Sequence, residues 1–511
     1  MYSVVNTATV LGIDAKLITV EADISEGMPL FEMVGYLSSE VREAKERVRA
    51  ALKNQGYALP VKRITVNLSP ANIRKTGSGF DLPIAVAILS AIGIIPEESL
   101  RDVCVIGEIS LDGSIQPVNG ILPMALEASE NGFKKVIVPK NNLVEARLVN
   151  NIEIIGLNNL RDVIEYLTYG QYIAQEVTER VEEENIEESL YDFSMINGQP
   201  GLRRACEVAV AGMHNMLMVG PPGAGKSMVA KCIPSILPPM SKKDQLELTK
   251  IYSVCGKFDE RKGLIKNRPF RSPHHTVSEQ GLTGGGQNPK PGEISLAHGG
   301  VLFLDELTEF RKTTLEILRQ PMEDKKVSIS RVNGSFTYPA DFMLVAAMNP
   351  CNCGYYPNLN KCHCTRAQIQ RYIGKLSQPL LDRIDITVDA PQLSYSQISS
   401  KEKNESSREI RARIEKCHML QAERYKDYDF SNNSHIPSSL MEKFCHLGPE
   451  EEKYMKEMYE ENDLTARTYY KTLKVARTIA DLEESIDIKI SHLQEAFAYR
   501  GLVKKYWEEH I

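Results

Sequence analysis

Residues Gly220-Pro221-Pro222-Gly223-Ala224-Gly225-Lys226-Ser227 constrain this chain more than any other stretch. They fit G-x-x-x-x-G-K-[ST], with the apolar run Met216–Val219 before them and a helix-like run over 228–233 after them, the order of strand, loop and helix that a phosphate-binding loop requires. Glycines let backbone N–H groups curl around phosphate oxygens at a helix N-terminus. Lys226 meets the β and γ oxygens as a point charge, and the Ser227 hydroxyl can hold Mg²⁺.

The metal also needs a carboxylate from a neighbouring strand. The run 300–304 is apolar and ends in Asp305-Glu306, which supplies Asp305 for the Mg²⁺ shell and Glu306 to polarise an attacking water. A further strand over 341–347 leads to Met348-Asn349, whose amide can bond the water or the γ-phosphate; the bland alternative is a turn-forming Asn before Pro350. Short apolar strands separated by helical stretches predict a parallel sheet with crossover helices.

With 511 residues, and about 150 per domain, the chain is long enough for several domains. From 1 to 170, strands expected at 8–18, 63–68 and Lys135–Pro139 alternate with helices at 39–55 and 83–92, an α/β domain. An acidic linker follows over 171–197, then an ATPase core over 198–395. From 396 to 511 the pattern is helical only, with candidates at 406–425, 438–445, 450–462, 465–483 and 491–498. No run reaches the ~18 uninterrupted apolar residues of a membrane helix and the start lacks the pattern of a signal peptide, so no membrane partner and a cytoplasmic location are expected.

The formal charge of −6 speaks at first against a nucleic-acid partner, yet residues 171–200 alone carry −7, which leaves +1 for the rest. Residues 261–290 sum to +5 and read as a basic insertion in the core, with Arg268 and Arg271 as candidate phosphate contacts. Lys325, Lys326 and Arg331 form a second candidate group on a hairpin over 327–338 that turns at Asn333-Gly334. Either set could equally be solvated surface charge.

Of ten cysteines, Cys104, Cys206, Cys232, Cys255, Cys417 and Cys445 are scattered, as small buried residues are. The other four, Cys351, Cys353, Cys362 and Cys364, form C-x-C-x₈-C-x-C, two thiolate pairs on a turn-rich loop over 351–364 that can close a tetrahedral structural Zn²⁺ site. His363 could replace one thiolate, so the ligand set stays open.

Taken together, the phosphate loop, Asp305-Glu306, Asn349, Leu380-Leu381-Asp382-Arg383 and the Thr465-Ala466-Arg467 of the helical tail resemble the AAA+ ATPases of the magnesium-chelatase-like branch. The wording of 268–276, 284–286, 291–298 and 473–482 is similar to the YifB/ComM family. That resemblance implies ATP and Mg²⁺ as cofactors and a homo-oligomeric ring, usually a hexamer. It makes Arg383 a finger reaching the neighbouring subunit's site, makes Arg467 a second sensor on a C-terminal helical lid, and points the 327–338 hairpin into a central pore. It also implies an ATP-driven DNA translocase or helicase acting in branch migration on branched or single-stranded DNA during transformation or recombination, with a metal-chelatase-type, protein-remodelling motor as the alternative.

Residues 107–121 and 132–139 resemble the proteolytic domain of Lon, but Asp81 stands where its nucleophilic serine would be and Met124 where its lysine would be. Without a hydroxyl nucleophile or a base, that dyad cannot work. The domain is expected to be a scaffold and not a protease.

Overall fold

The computed structural model describes residues 1–170, 191–331, 334–399, 404–462, 464–503 and 506–507. Most of the expected acidic linker, and Asn333 of the expected hairpin turn, lie outside them.

The first 170 residues build a seven-stranded mixed sheet in the order Leu30–Val34, Arg63–Ser69, Asp14–Ser25, Tyr2–Leu11, Val103–Val105, Lys135–Pro139, Glu153–Leu157. The single strand expected over 8–18 is in fact the end of one strand and the start of the next, paired antiparallel from Leu11↔Asp14 outward. Apolar alternation continues on both sides of Gly12-Ile13, so periodicity alone conceals the two-residue turn. Helix Ser39–Asn54 begins where the Ser38 hydroxyl accepts the Val41 N–H, and it buries Val41, Ala44, Val48, Ala51 and Leu52. Helix Asp81–Ala91 packs between it and the sheet with all eleven of its residues buried.

The second sheet is five-stranded and wholly parallel, ordered Phe270–Arg271, Val301–Leu304, Met343–Met348, Met216–Val219, Ile386–Asp389. Its three middle strands are buried along their whole length, which is why they read as continuous apolar runs rather than alternating ones. Each large apolar side chain so buried contributes about 1.5–3 kcal/mol, so the central strands are the energetic core of the domain. The expected basic insertion over 261–290 is corrected here. Phe270–Arg271 inside it is the edge strand of this sheet, and Glu279–Thr283 is a short helix packed on it through Leu282.

Helices Ser407–Arg424, Pro449–Glu461, Ala466–Leu482 and Ile490–Ala498 account for the tail, with Ser438–Leu440 and Met441–Phe444 making one short irregular turn. Ile414, Val475, Ile479 and Leu493 belong to the same buried cluster as Val210, Ile233, Met216 and Ile386 of the ATPase core. The boundary at 396 therefore divides kinds of secondary structure, not two separate cores. The linker is also shorter than expected at its far end. Phe193 and Ile196 are buried in that same cluster, Asp192 accepts the Ser194 and Ser407 N–H groups, and Phe193 N–H donates to Ser407 Oγ. Among the described residues no helix is long and apolar enough to cross a membrane.

Candidate active site

Strand Met216–Val219 runs into the phosphate loop, and helix Lys226–Ile236 leaves it, with Gly223 and Gly225 in left-handed conformation (φ +76° and +81°). No side chain caps that helix, so its first N–H groups face the loop's concavity, where the dipole and the N–H groups favour an anion. Lys226 Nζ donates to the carbonyls of Gly220 (2.7 Å) and Pro221 (2.9 Å) and to Asn349 Oδ1 (3.1 Å). Burial lowers the Lys226 pKa, opposed by the nearby charges of Asp305 and Glu306. The adjoining hydroxyl of Ser227 donates to Asp305 Oδ2 at 2.6 Å, so the two expected Mg²⁺ groups already touch. A hard cation with oxygen ligands fits that pair. Lys226, Ser227, Asp305 and Asn349, drawn from three strand ends, thus converge on one point.

Glu306 follows Asp305 in left-handed conformation (φ +50°), with its side chain 60% exposed at the mouth of the site. Its carboxylate lies 3.7 Å from His275 Nδ1, whose ring meets Phe310 edge-on and His274 at a 4.0 Å centroid distance. His275 lies within the 268–276 stretch that resembles the family, and nothing in that stretch singles it out. Its proximity to the water-polarising group depends on how the 272–278 loop folds back over strand Val301–Leu304, and no local pattern reveals that.

Arg383 and Arg467 are not beside this phosphate loop's lysine contacts but together elsewhere, on one carboxylate that the sequence did not single out. Arg383 Nη2 is 2.6 Å from Glu323 Oε2, and Arg467 Nη2 donates to Glu323 Oε1. Arg383 is further held by the carbonyls of Arg319 (3.0 Å to Nε) and Pro379 (2.5 Å to Nη1), and only a tenth of its side chain is exposed. Two residues later Asp385 is buried, paired with Lys471 of helix Ala466–Leu482 at 2.7 Å and accepting the Asn215 N–H at 2.9 Å. Asp385 thereby ties the tail helix that bears Arg467 to the segment that bears Arg383.

The four cysteines converge. All four Sγ atoms lie within 4.8 Å of one another, with Cys351–Cys353 at 3.4 Å, Cys353–Cys362 at 3.5 Å and Cys351–Cys362 at 3.8 Å. Tetrahedral Zn–S bonds of about 2.3 Å put sulphur atoms about 3.8 Å apart, so the spacing fits a zinc thiolate site and is far too long for disulfides. Burial resists ionisation, yet hydrogen bonds from the Tyr355 backbone, the Cys351 thiol and the His363 backbone draw the Cys353 thiol down to about 6, while burial pushes Cys362 up to about 12. His363 is exposed and outside the cluster, so the thiols alone make up the group.

The basic candidates separate. Arg268 donates its guanidinium N–H groups to the carbonyls of Pro238 (2.6 Å) and Gly299 (2.5 Å). Arg271 makes two 2.7 Å bonds to Glu293. Lys325 pairs with Asp341 at 3.3 Å. Lys326 and Arg331 are exposed on the hairpin of Lys326–Arg331 and Gly334–Pro339, which also carries the buried Val327, Ile329 and Tyr338. The end of that hairpin, with Phe336, borders a cleft of about 780 Å³ that reaches the N-terminal domain at Ser78, Gly79, Phe80 and Met124. Asp81 does not open into it. Its fully buried carboxylate takes two bonds from Arg47 (2.7 and 2.9 Å), and burial raises its pKa.

Against known proteins, the family described as "Magnesium chelatase, subunit ChlI" matches residues 192–398, "Subunit ChlI of Mg-chelatase" residues 20–142, and "Magnesium chelatase, subunit ChlI C-terminal" residues 404–500. The chain is 38% identical to the competence protein ComM of Haemophilus influenzae over 506 residues, 98% of each chain. It is 40% identical to the YifB protein of Escherichia coli over 503 residues, 98% of this chain and 97% of that one. Lon protease 2 of Bacillus subtilis is 30% identical over 141 residues, 26% of this chain and 25% of the protease. With identity of this size running from end to end, and the ATP-site residues assembled as that family requires, the chain belongs to the YifB/ComM family of magnesium-chelatase-like AAA+ ATPases, with an N-terminal region that resembles Lon protease.

Proposed function

We propose that this AAA+ ATPase forms a homo-oligomeric ring, a hexamer, and uses ATP hydrolysis to move DNA, driving branch migration or strand separation in recombination. The observation that carries the reading is the end-to-end similarity to the competence protein ComM. In the proposed cycle Lys226 and the loop N–H groups bind the β and γ phosphates; Ser227 and Asp305 would hold Mg²⁺, which would supply positive charge to those oxygens. Glu306 takes the proton of the attacking water, with His275 at 3.7 Å fixing its carboxylate, and Asn349 bonds the γ-phosphate from the strand end. Arg383 and Arg467, which share Glu323 in one protomer, support a joint role: both would serve the neighbouring subunit's γ-phosphate, so that hydrolysis depends on ring closure. Exposed Lys326 and Arg331 on the hairpin supply the sequence-independent phosphate contact.

The test is ATPase activity with single-stranded, duplex and branched DNA, together with strand displacement. Stimulation by branched DNA is expected. An active ring that DNA neither stimulates nor engages would remove this reading. It would also favour the second one, a chelatase-type motor on a partner protein, which the three magnesium-chelatase family matches support.

A further inference from the structure

We propose that the four-cysteine cluster is a zinc clamp on the phosphate loop: metal occupancy holds the turn 351–354 against Pro222 and so sets the affinity for ATP. The proposal rests on nucleotide binding at Lys226 and concerns what shapes that site.

Three contacts carry it. Strand Met343–Met348 delivers Asn349 to Lys226, and two residues on, Cys351 is fully buried in the apolar cluster that holds Val219, Leu304 and Met348. The chain then turns sharply, with Gly354 N–H donating to the Cys351 carbonyl at 3.0 Å. At that turn Gly354 (φ +84°) lies so close to the phosphate loop that a Cβ built on it would be 2.3 Å from Pro222 Cδ and 3.1 Å from Cγ. The first ligand pair is therefore seated on the third residue of the loop that must wrap the phosphates.

The opposite side of the cluster is anchored independently. Thr365, beside Cys364, caps helix Arg366–Ile373 in a reciprocal box with Gln368. Tyr356 meets Tyr506 edge-on at 6.0 Å, and Trp507 Nε1 donates to the Ile373 carbonyl at 3.2 Å. One ion with four thiolates joins this anchored half to the turn on Pro222, where thiols alone offer only weak S–H contacts. A phosphate loop braced on its outer side loses less conformational freedom when it closes on ATP, and that preorganisation appears as affinity.

The experiment uses the full-length chain, with zinc per chain measured by elemental analysis and affinity by titration with a fluorescent ATP analogue. Gly354→Ala keeps all four thiols, so it is expected to retain about one zinc and a cooperatively melting fold with only a modestly lowered midpoint, yet to bind the analogue about tenfold more weakly through strain and contact with Pro222. Pro222→Ala removes the atoms that the new methyl would meet. In that background the Gly354→Ala penalty should shrink to about the size of the φ strain alone, a non-additivity that marks direct coupling. Chelation under reducing conditions should weaken binding comparably, and restoring zinc should reverse the loss. In turnover, KM for ATP should rise and kcat at saturating ATP should hold.

Purified protein without zinc, Gly354→Ala binding as tightly as wild type, a penalty equal in both backgrounds, or unchanged affinity after chelation would each overturn the clamp. Lys226→Ala in the same titration separates the two readings, because undiminished binding there would overturn the nucleotide site itself.

Discussion

Glu306 occupies a left-handed conformation that a side chain adopts at a cost of roughly 1–3 kcal/mol, and the neighbouring Asp305 Oδ1 accepts its N–H at 2.9 Å to hold it there. The Glu306 carboxylate lies 60% exposed beside His275. Glu306→Gln should bind ATP normally and hydrolyse it on the order of 100-fold or more slowly, whereas Lys226→Ala should lose binding itself. Nucleotide titration and phosphate release, measured on both, distinguish these outcomes. Phosphate release should also fall sharply in Arg383→Ala, by about 10³-fold if the finger is worth what such arginines supply, while nucleotide binding persists. Full turnover in that variant would assign Arg383 to packing alone, for which its bonds to Arg319 and Pro379 offer a reason. Lys226 and Glu306 were legible in the sequence because each sits at a fixed offset from a strand end, whereas Arg383 was singled out only through the family resemblance. Glu323 and His275 were not legible, since each comes near its partner only through the return of a distant segment.

At the scale of elements, the strands that carry chemistry lay where the apolar runs put them. Met216–Val219 was expected residue for residue, and 300–304 and 341–347 differ from the observed strands by one or two residues at their ends. Helix Ala466–Leu482 differs from the expected 465–483 by one residue at each end, because the Thr465 side chain accepts the Thr468 N–H and caps the helix one residue later. Misreadings arose where pairing decides. Phe270–Arg271 is too short for any periodicity and becomes a strand only by lying beside Val301 and Leu302. For the same reason the basic count of 261–290 did not forecast exposure: Arg271 pairs with Glu293, which that window excludes. The hairpin keeps Lys326 and Arg331 exposed. Neutralising Lys326 and Arg331 together should weaken DNA binding uniformly across sequences and lower the salt dependence by a slope of about one to two, read from affinity against log salt.

For the whole molecule, the tail helices and the ATPase core share one apolar cluster, so stability and lid position are linked. Two histidines mark that seam. His418 on helix Ser407–Arg424 contacts the Val210 carbonyl at 3.3 Å, and burial lowers its pKa to about 4. His214 is buried against Thr478 at 2.8 Å, and burial lowers its pKa as well, opposed by Asp385. Both are neutral in the fold and protonated more readily when unfolded, so the unfolded chain takes up protons first. Their stabilisation is complete above the unfolded value near 6.5 and is lost as pH falls below it, for His418 down to about 4. Urea midpoints should accordingly drop between pH 7 and pH 5, with a slope of at most about 1.4 kcal/mol per unit for each histidine, and His418→Gln should flatten that fall. An equal pH slope in the variant would place the acid sensitivity elsewhere.

The amino-acid sequence by itself determined what depends on neighbours along the chain: the phosphate loop between its strand and helix, the acids at a strand end and the thiol spacing. Only the tertiary structure decided what depends on segments far apart in sequence. It brought Arg383 and Arg467 onto Glu323, spent Arg268 and Arg271 inside the fold, seated the thiol turn on Pro222 and merged the lid with the core. The physical reason is that a local motif is set by backbone geometry over a few residues, whereas a guanidinium or a carboxylate bonds whichever partner the packed core leaves within about 3 Å of it.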